Sequence, residues 1–255
     1  MKRVRVAVVP APGRPVEIRE IDEPALEEGG ARLRVATTEV CGTDVSLRAG
    51  RLAGVPYPLV PGHVSVGRLE TLRGAWADVE GRPLREGDLV TFLDVHRTCH
   101  ACWYCLVAKA TTRCPHRKVY GITYGLDDGL CGGWADVVHL KPGTLCLRLD
   151  EAAAARFMAG GCSLPTALHA VERGGVAIGD SVLVLGSGPV GLSAIAVARL
   201  REHQAEGQFA AGSMGPKVEA ACRFVEASGR RAVITALEHI ATATRDTGVV
   251  GTTVV

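Results

Sequence analysis

Aromatic side chains are scarce in this 255-residue sequence, where four Phe, four Tyr and three Trp make up 4% of the chain. Apart from the neighbours Trp103 and Tyr104 there is no set of rings interleaved with basic residues, the arrangement that grips single-stranded nucleic acid. An excess of one charge is also lacking. Against 29 basic residues stand 27 acidic ones, and a net charge of +2 leaves no electrostatic footprint for nucleic acid or an anionic membrane. The N-terminus, M-K-R-V-R-V-A-V-V-P, has no apolar run long enough for a signal peptide, so a cytoplasmic chain is expected. One uncharged run, residues 181–198, reaches 18 residues, the length of a short membrane span. G-S-G-P-V-G in its middle divides it into strand, turn and helix instead, so no membrane partner is expected.

What is present is a large apolar fraction, 47%, ample for one large or two modest domains. There are nine cysteines, and in a reducing compartment clustered cysteines bind metal more often than they pair. Cys99, Cys102, Cys105 and Cys114 fall within one short stretch, and four thiolates there make a closed tetrahedral site, structural and not catalytic. A zinc-ribbon nucleic-acid module is the other reading, which the near-neutral charge disfavours. Cys41 and His63 are also donors that suit zinc, set on sequence broken by Gly50, Gly54, Pro56, Pro58, Pro61 and Gly62. A catalytic site needs a third ligand and an open fourth position, and Cys162 in A-G-G-C-S-L-P-T-A is the candidate. Each has a plainer alternative: a buried thiol at Cys41, a hydrogen-bonded loop residue at His63, a small residue packed at a helix start at Cys162.

Taken in order, residues 3–9, 15–20, 31–37, 67–72, 88–93 and 133–140 alternate or run apolar between Gly and Pro, and predict short strands. No helical period runs through them, so residues 1–150 are expected to form an all-β, barrel-like domain whose loops carry the ligands. From residue 151 the sequence becomes Ala-rich and predicts two helices, the second stopped by Gly174 and Gly175. D-S-V-L-V-L-G then predicts a buried parallel strand, G-S-G-P-V-G a turn, and V-G-L-S-A-I-A-V-A-R-L a helix. Gly186, Gly188 and Gly191, with Pro189 and Val190 between them, form the G-x-G-x-x-G that lets a backbone approach a pyrophosphate at a helix N-terminus. The acidic residue expected about 20 positions further on is absent. Position 211 lies in Q-F-A-A-G-S-M-G, and Glu202 and Glu206 come too early. Beyond residue 202 the sequence predicts a helix over 216–228, a strand over 231–235 and a final apolar T-T-V-V.

Taken together, C-G-T-D at 41–44, G-H-x-x-x-G at 62–67, the four-cysteine lobe, G-G-W-A-D at 132–136 and G-S-G-P-V-G at 186–191 resemble the zinc-dependent medium-chain alcohol dehydrogenases, in that family's order, up to about residue 201. The resemblance implies an α/β chain with an all-β part: a GroES-like β-barrel over 1–150 and the start of a Rossmann-type domain over 151–201. It implies two zincs per chain, one catalytic at Cys41, His63 and Cys162 and one structural at the four-cysteine lobe, together with NAD or NADP. Hydride would leave a zinc-bound alkoxide of an alcohol or polyol, with Thr43 and Ser46 passing the proton and Asp44 orienting the ligand histidine. A small alcohol or carbonyl compound is the implied partner, and a homo-oligomer is compatible with it. Val64 departs from the glutamate common after the histidine, and Ser46 from a common histidine. From about Phe209 the tail is similar to the end of carbamate kinase, which would make Lys217 a nucleotide-phosphate contact, although the rest of a kinase is missing. The 202–255 segment is thus expected to be a kinase-like α/β end joined to dehydrogenase sequence. A metal-holding dehydrogenase piece without a working nucleotide domain is the rival expectation, since a six-strand domain needs more chain than follows residue 180.

Overall fold

The computed structural model describes residues 2–176, 180–205, 232–234 and 252–254. Two compact units divide the chain, Met1–Ala154 and Ala155–Val255. The kinase-like expectations, the helix over 216–228 and Lys217 among them, lie outside the described residues, as does Cys222.

The first unit opens with β1 (Arg3–Val8) and β2 (Glu17–Asp22), an antiparallel pair. In β1 Val4, Val6 and Val8 are buried while Arg3 and Arg5 face water and Ala7 is half-buried. β3 (Ala31–Thr38) leads to a short helix α1 (Gly42–Arg48). Then come β4 (Ser65–Leu72), β5 (Leu89–Phe92), β6 (Val95–Arg97), a four-residue helix α2 (Trp103–Leu106), β7 (Lys118–Val119), β8 (Val137–Leu140) and β9 (Cys146–Arg148). Five strands form one antiparallel sheet in the order β8-β3-β4-β5-β9, and among the described residues β6 pairs only with β7.

The predicted strands are therefore present, but the expected closed barrel is not. Among the described residues the main sheet is open, with β8 and β9 at its edges, and β1 reaches the rest of the unit through isolated bridges, Val6 to Ala135 and Val9 to Leu59. Side chains close what hydrogen bonds do not. Leu33, Leu69, Val90, Phe92, Tyr120, Val138 and Leu140 form one buried cluster; Val4, Val6, Val8, Val60, Leu130 and Val137 form another. A third, of Val9, Leu47 and Leu59, pins α1 by its only fully buried apolar residue.

Buried charge is also organised. Arg32, 9% exposed, donates to both Glu23 oxygens at 2.6 and 3.0 Å, and it also pairs with Glu70. His139 sits 3.0 Å from Glu23 on the other side. The Arg32 guanidinium holds the Glu23 carboxyl down to about 2, with burial opposing and His139 helping.

A seam of close backbone contacts lies beneath the Pro61–His63 turn. Gly62 has φ +94°, a conformation that glycine adopts without strain, and a Cβ there would meet the Trp134 ring at 2.6 Å. A Cβ on Gly132 would stand 1.9 Å from the Val60 carbonyl oxygen. Gly133 N donates to Gly62 O at 2.7 Å and Trp134 N to Pro61 O at 3.0 Å, so the G-G-W-A-D stretch is zipped onto the turn that carries His63.

α3 (Glu151–Gly160), which begins in the first unit, and α4 (Ser163–Arg173) are the two predicted Ala-rich helices, and α5 (Pro189–Ala205) follows the glycine turn. The predicted parallel strand is not formed. Residues 181–187 carry no strand, and Leu183 and Leu185 are 82% and 87% exposed. A parallel strand is buried by its neighbours on both sides, and none of the described residues pairs with this one. β10 (Ala232–Ile234) falls inside the predicted 231–235 strand and pairs antiparallel with β11 (Thr252–Val254), from the terminal T-T-V-V. No described helix is long and apolar enough to cross a membrane.

Two predictions follow from this packing. Glu23, with a folded-state pKa depressed from 4.5 to about 2, contributes stability that is complete above the ordinary carboxylate value and lost as pH falls toward about 2. Urea unfolding across that range should show Glu23→Gln costing about 3 kcal/mol at neutral pH, with a shallower acid dependence than the parent chain; equal acid slopes would refute the assignment. Gly132→Ala should cost about 3 kcal/mol by overpacking. Gly54→Ala, at φ +74° with nothing within 4 Å, should cost only about 1 kcal/mol.

Candidate metal centres

The lobe between β6 and β7 gathers the four predicted cysteines. The ligand atoms of Cys99, Cys102, Cys105 and Cys114 lie within 4.8 Å of one another, and the closest sulfur pairs are 3.5 Å (Cys99 and Cys114) and 3.6 Å (Cys102 and Cys105). Local sequence builds this. Cys102 caps the four-residue helix α2, and its amide donates back to the Cys99 sulfur at 3.3 Å. The Cys99 amide in turn donates to the Cys114 sulfur at 3.4 Å. Between the first two ligands His100 is held at φ +51°, uncommon for a non-glycine residue and a mark of how tightly the turn is drawn. The Ala101 amide draws the Cys99 thiol down to about 6, whereas burial pushes Cys102 up to about 11. Sulfurs this close cannot all ionise unless a cation takes up the charge, and a closed set of four thiolates fits zinc.

The second cluster is made by tertiary convergence. Cys41 is the N-cap of α1: its sulfur accepts from Thr43 N at 3.3 Å, while the Asp44 carboxylate accepts from Cys41 N at 2.9 Å, a reciprocal cap. His63 arrives from the glycine seam, 5% exposed, with Nε2 3.9 Å from the Cys41 sulfur. Its other nitrogen, Nδ1, is buried and has no hydrogen-bond partner among the described residues. Asp44, expected to orient this histidine, is buried beside Cys41. One of its oxygens is used on the Cys41 amide and the other, also buried, has no partner among the described residues. As the third residue of α1 it also faces back to the cap, the geometry of a capping box, and so holds the Cys41 turn.

A donor that the sequence reading missed stands beside them. A carboxylate oxygen of Glu39, the Cys41 sulfur and a His63 ring nitrogen lie within 4.8 Å of one another. The signal available in the sequence was only an acidic residue two positions before Cys41. A thiolate, an imidazole and a carboxylate are a donor set that suits zinc. Thr43 and Ser46 are half-buried and three apart on α1, hence on one helix face.

Cys162 belongs to the second unit, half-buried at the N-cap of α4 and in no disulfide. The G-x-G-x-x-G turn there keeps its internal geometry. A Cβ on Gly191 would come within 2.0 Å of Gly186 O, Leu192 N donates to Gly188 O at 3.0 Å, and Pro189 is the first residue of α5, with Val190 exposed beside it. The remaining described thiols belong to the core. Burial pushes Cys131 and Cys146 up to about 12, where they stay protonated. His139 is the buried partner of Glu23, and His169 is exposed.

Comparison with known proteins agrees with this geometry. The chain is 36% identical over 203 residues to a 5-exo-hydroxycamphor dehydrogenase of Pseudomonas putida, covering 78% of this chain and 54% of that one. It is 30% identical over 188 residues to an L-threonine 3-dehydrogenase of Streptomyces coelicolor, covering 71% and 50%. The crystal structure of an alcohol dehydrogenase from Thermotoga maritima matches with a TM-score of 0.71 at 30% identity, over 78% of this chain and 55% of that one. The chain thus spans about half the length of the curated relatives it matches. Residues 27–151 match the family model of the alcohol dehydrogenase GroES-like domain.

Proposed function

We propose that the chain houses the metal centre of a zinc-dependent, NAD(P)-linked oxidoreductase acting on an alcohol or polyol. The observation that carries this reading is the meeting of Cys41 and His63, brought together from a helix cap and a glycine-backed turn 22 positions apart. Cys162 is proposed as the thiolate that completes the catalytic set, on the strength of its A-G-G-C-S-L-P-T-A context. A zinc held there would supply Lewis acidity, lowering the pKa of a substrate hydroxyl.

The chain's own residues divide the remaining work. Thr43 is proposed to take the proton of a substrate hydroxyl and Ser46 to relay it toward water, a reading supported by their position three apart on α1. The glycine turn before α5 leaves amides at a helix start for a pyrophosphate, with Gly186, Gly188, Pro189, Val190 and Gly191 as its contacts. The four-cysteine lobe would hold a second, structural zinc, its four sulfurs lying within 4.8 Å of one another. Support for the substrate class comes from the relatives, named for a hydroxycamphor and for threonine, both of which carry an alcohol. A cytoplasmic setting fits a chain whose eight described cysteines form no disulfide.

One observation favours a second reading. Leu183 and Leu185 lie exposed where a nucleotide domain would bury a strand, as in a metal-holding portion that does not grip the cofactor. Metal analysis combined with NADH and NADPH titration decides between them. The oxidoreductase reading expects two zincs per chain and saturable binding of one nucleotide. Cys41→Ser should remove one zinc and Cys102→Ser the other. Two zincs without nucleotide binding would leave the second reading, and loss of both zincs from either substitution would contradict two separate sites.

A further inference from the structure

We propose that the Glu39 carboxylate is a protein ligand of the metal at Cys41 and His63, so that the first unit presents three donors without help from the second. The inference rests on the zinc reading above and adds to it a residue and a consequence. Glu39 follows directly on β3, and its backbone extends the β3–β4 ladder by one more step. Thr38 pairs with Ser65, and Glu39 N then donates to Val64 O at 2.9 Å. Trp134 Nε1 donates to Glu39 O at 3.2 Å, tying the same residue to the glycine seam. Glu39 is therefore fixed by its main chain at both polar groups, two residues before Cys41 and across the ladder from the residue that follows His63. Its half-buried carboxylate shares the 4.8 Å sphere of the Cys41 sulfur and the His63 nitrogen.

Charge makes the same point. Within the first unit alone, a Cys41 thiolate and a Glu39 carboxylate bring two negative charges, and a neutral imidazole brings none, which matches a divalent ion; with the Cys162 thiolate also bound the four positions would be filled, and a substrate oxygen would enter in place of Glu39. His63 is 5% exposed, and its Nδ1 is buried without a partner among the described residues. A neutral imidazole offers a metal the Nε2 lone pair, and that nitrogen stands 3.9 Å from the Cys41 sulfur. At position 64, where the resembled family commonly places a carboxylate, this chain has valine. Glu39 returns a carboxylate to the site from the facing strand.

The test is zinc release from the intact, zinc-loaded chain into an excess of a chromophoric chelator. Release from Cys102→Ser identifies which kinetic phase belongs to the cysteine lobe, and that phase serves as the folding control in every other variant. Glu39→Gln should speed the other phase at least roughly tenfold while leaving the lobe's phase unchanged. Cys162→Ser should still retain that equivalent, and the double variant Glu39→Gln with Cys162→Ser should lose it. Adding Val64→Glu to Glu39→Gln should slow release again, which a structural role for Glu39 would not produce. Parental release rates in Glu39→Gln would overturn the Glu39 assignment while leaving the Cys41 and His63 site intact. A parent chain that binds only the lobe's equivalent would overturn the assignment and the underlying zinc reading together.

Discussion

Backbone pressed against backbone beneath His63 is the constraint on which the first unit depends. Side chains are excluded there: a Cβ on Gly132 would fall 1.9 Å from a carbonyl oxygen, and one on Gly62 would fall into the Trp134 ring. Because no side chain intervenes, residues 132–134 can hydrogen bond directly to the Pro61–Gly62 backbone, and the Trp134 indole can reach the Glu39 carbonyl. Three stretches that are far apart in the sequence, E-V-C, P-G-H and G-G-W, thereby become one structural object. The imidazole is delivered to the thiol by packing that leaves it no room to be elsewhere, the preorganisation that a metal site needs.

The two clusters differ in how they are built. At the four-cysteine lobe neighbouring residues do everything: one short helix, two amide-to-sulfur hydrogen bonds and a strained His100 bring four sulfurs together. Its geometry depends little on the rest of the sheet. At Cys41 and His63 the donors come from a helix cap and a turn, each held by a different part of the core: Leu47 and Leu59 pin α1, and the glycine seam pins His63. Damage to distant packing should therefore disturb the second cluster before the first.

Much of this was legible in the sequence where the physics is local. Alternation in R-V-R-V-A-V announces β1, and the C-x-x-C-x-x-C run announces its lobe. Legibility failed wherever a residue's role is set by neighbours that sequence does not display. The short α1 was not foreseen, because its cap is a cysteine and its stretch is crowded with glycine and proline further on. The capping of the Cys41 amide by Asp44 was not foreseen, because a cysteine is an unusual N-cap. V-L-V-L reads as a buried strand, yet burial belongs to the sheet around a strand, and none of the described residues flanks it. Glu39 carries no motif at all. Only the pairing of β3 with β4 shows that it faces the residue after His63.

The most direct test of the convergence is zinc-edge X-ray absorption on the Cys102→Ser chain, whose lobe has lost a ligand so that the remaining bound zinc reports on the other centre. The account predicts a mixed shell, with sulfur near about 2.3 Å and nitrogen or oxygen at about 2.0–2.2 Å. A shell of sulfur alone, or of light atoms alone, would show that Cys41 and His63 do not share an ion.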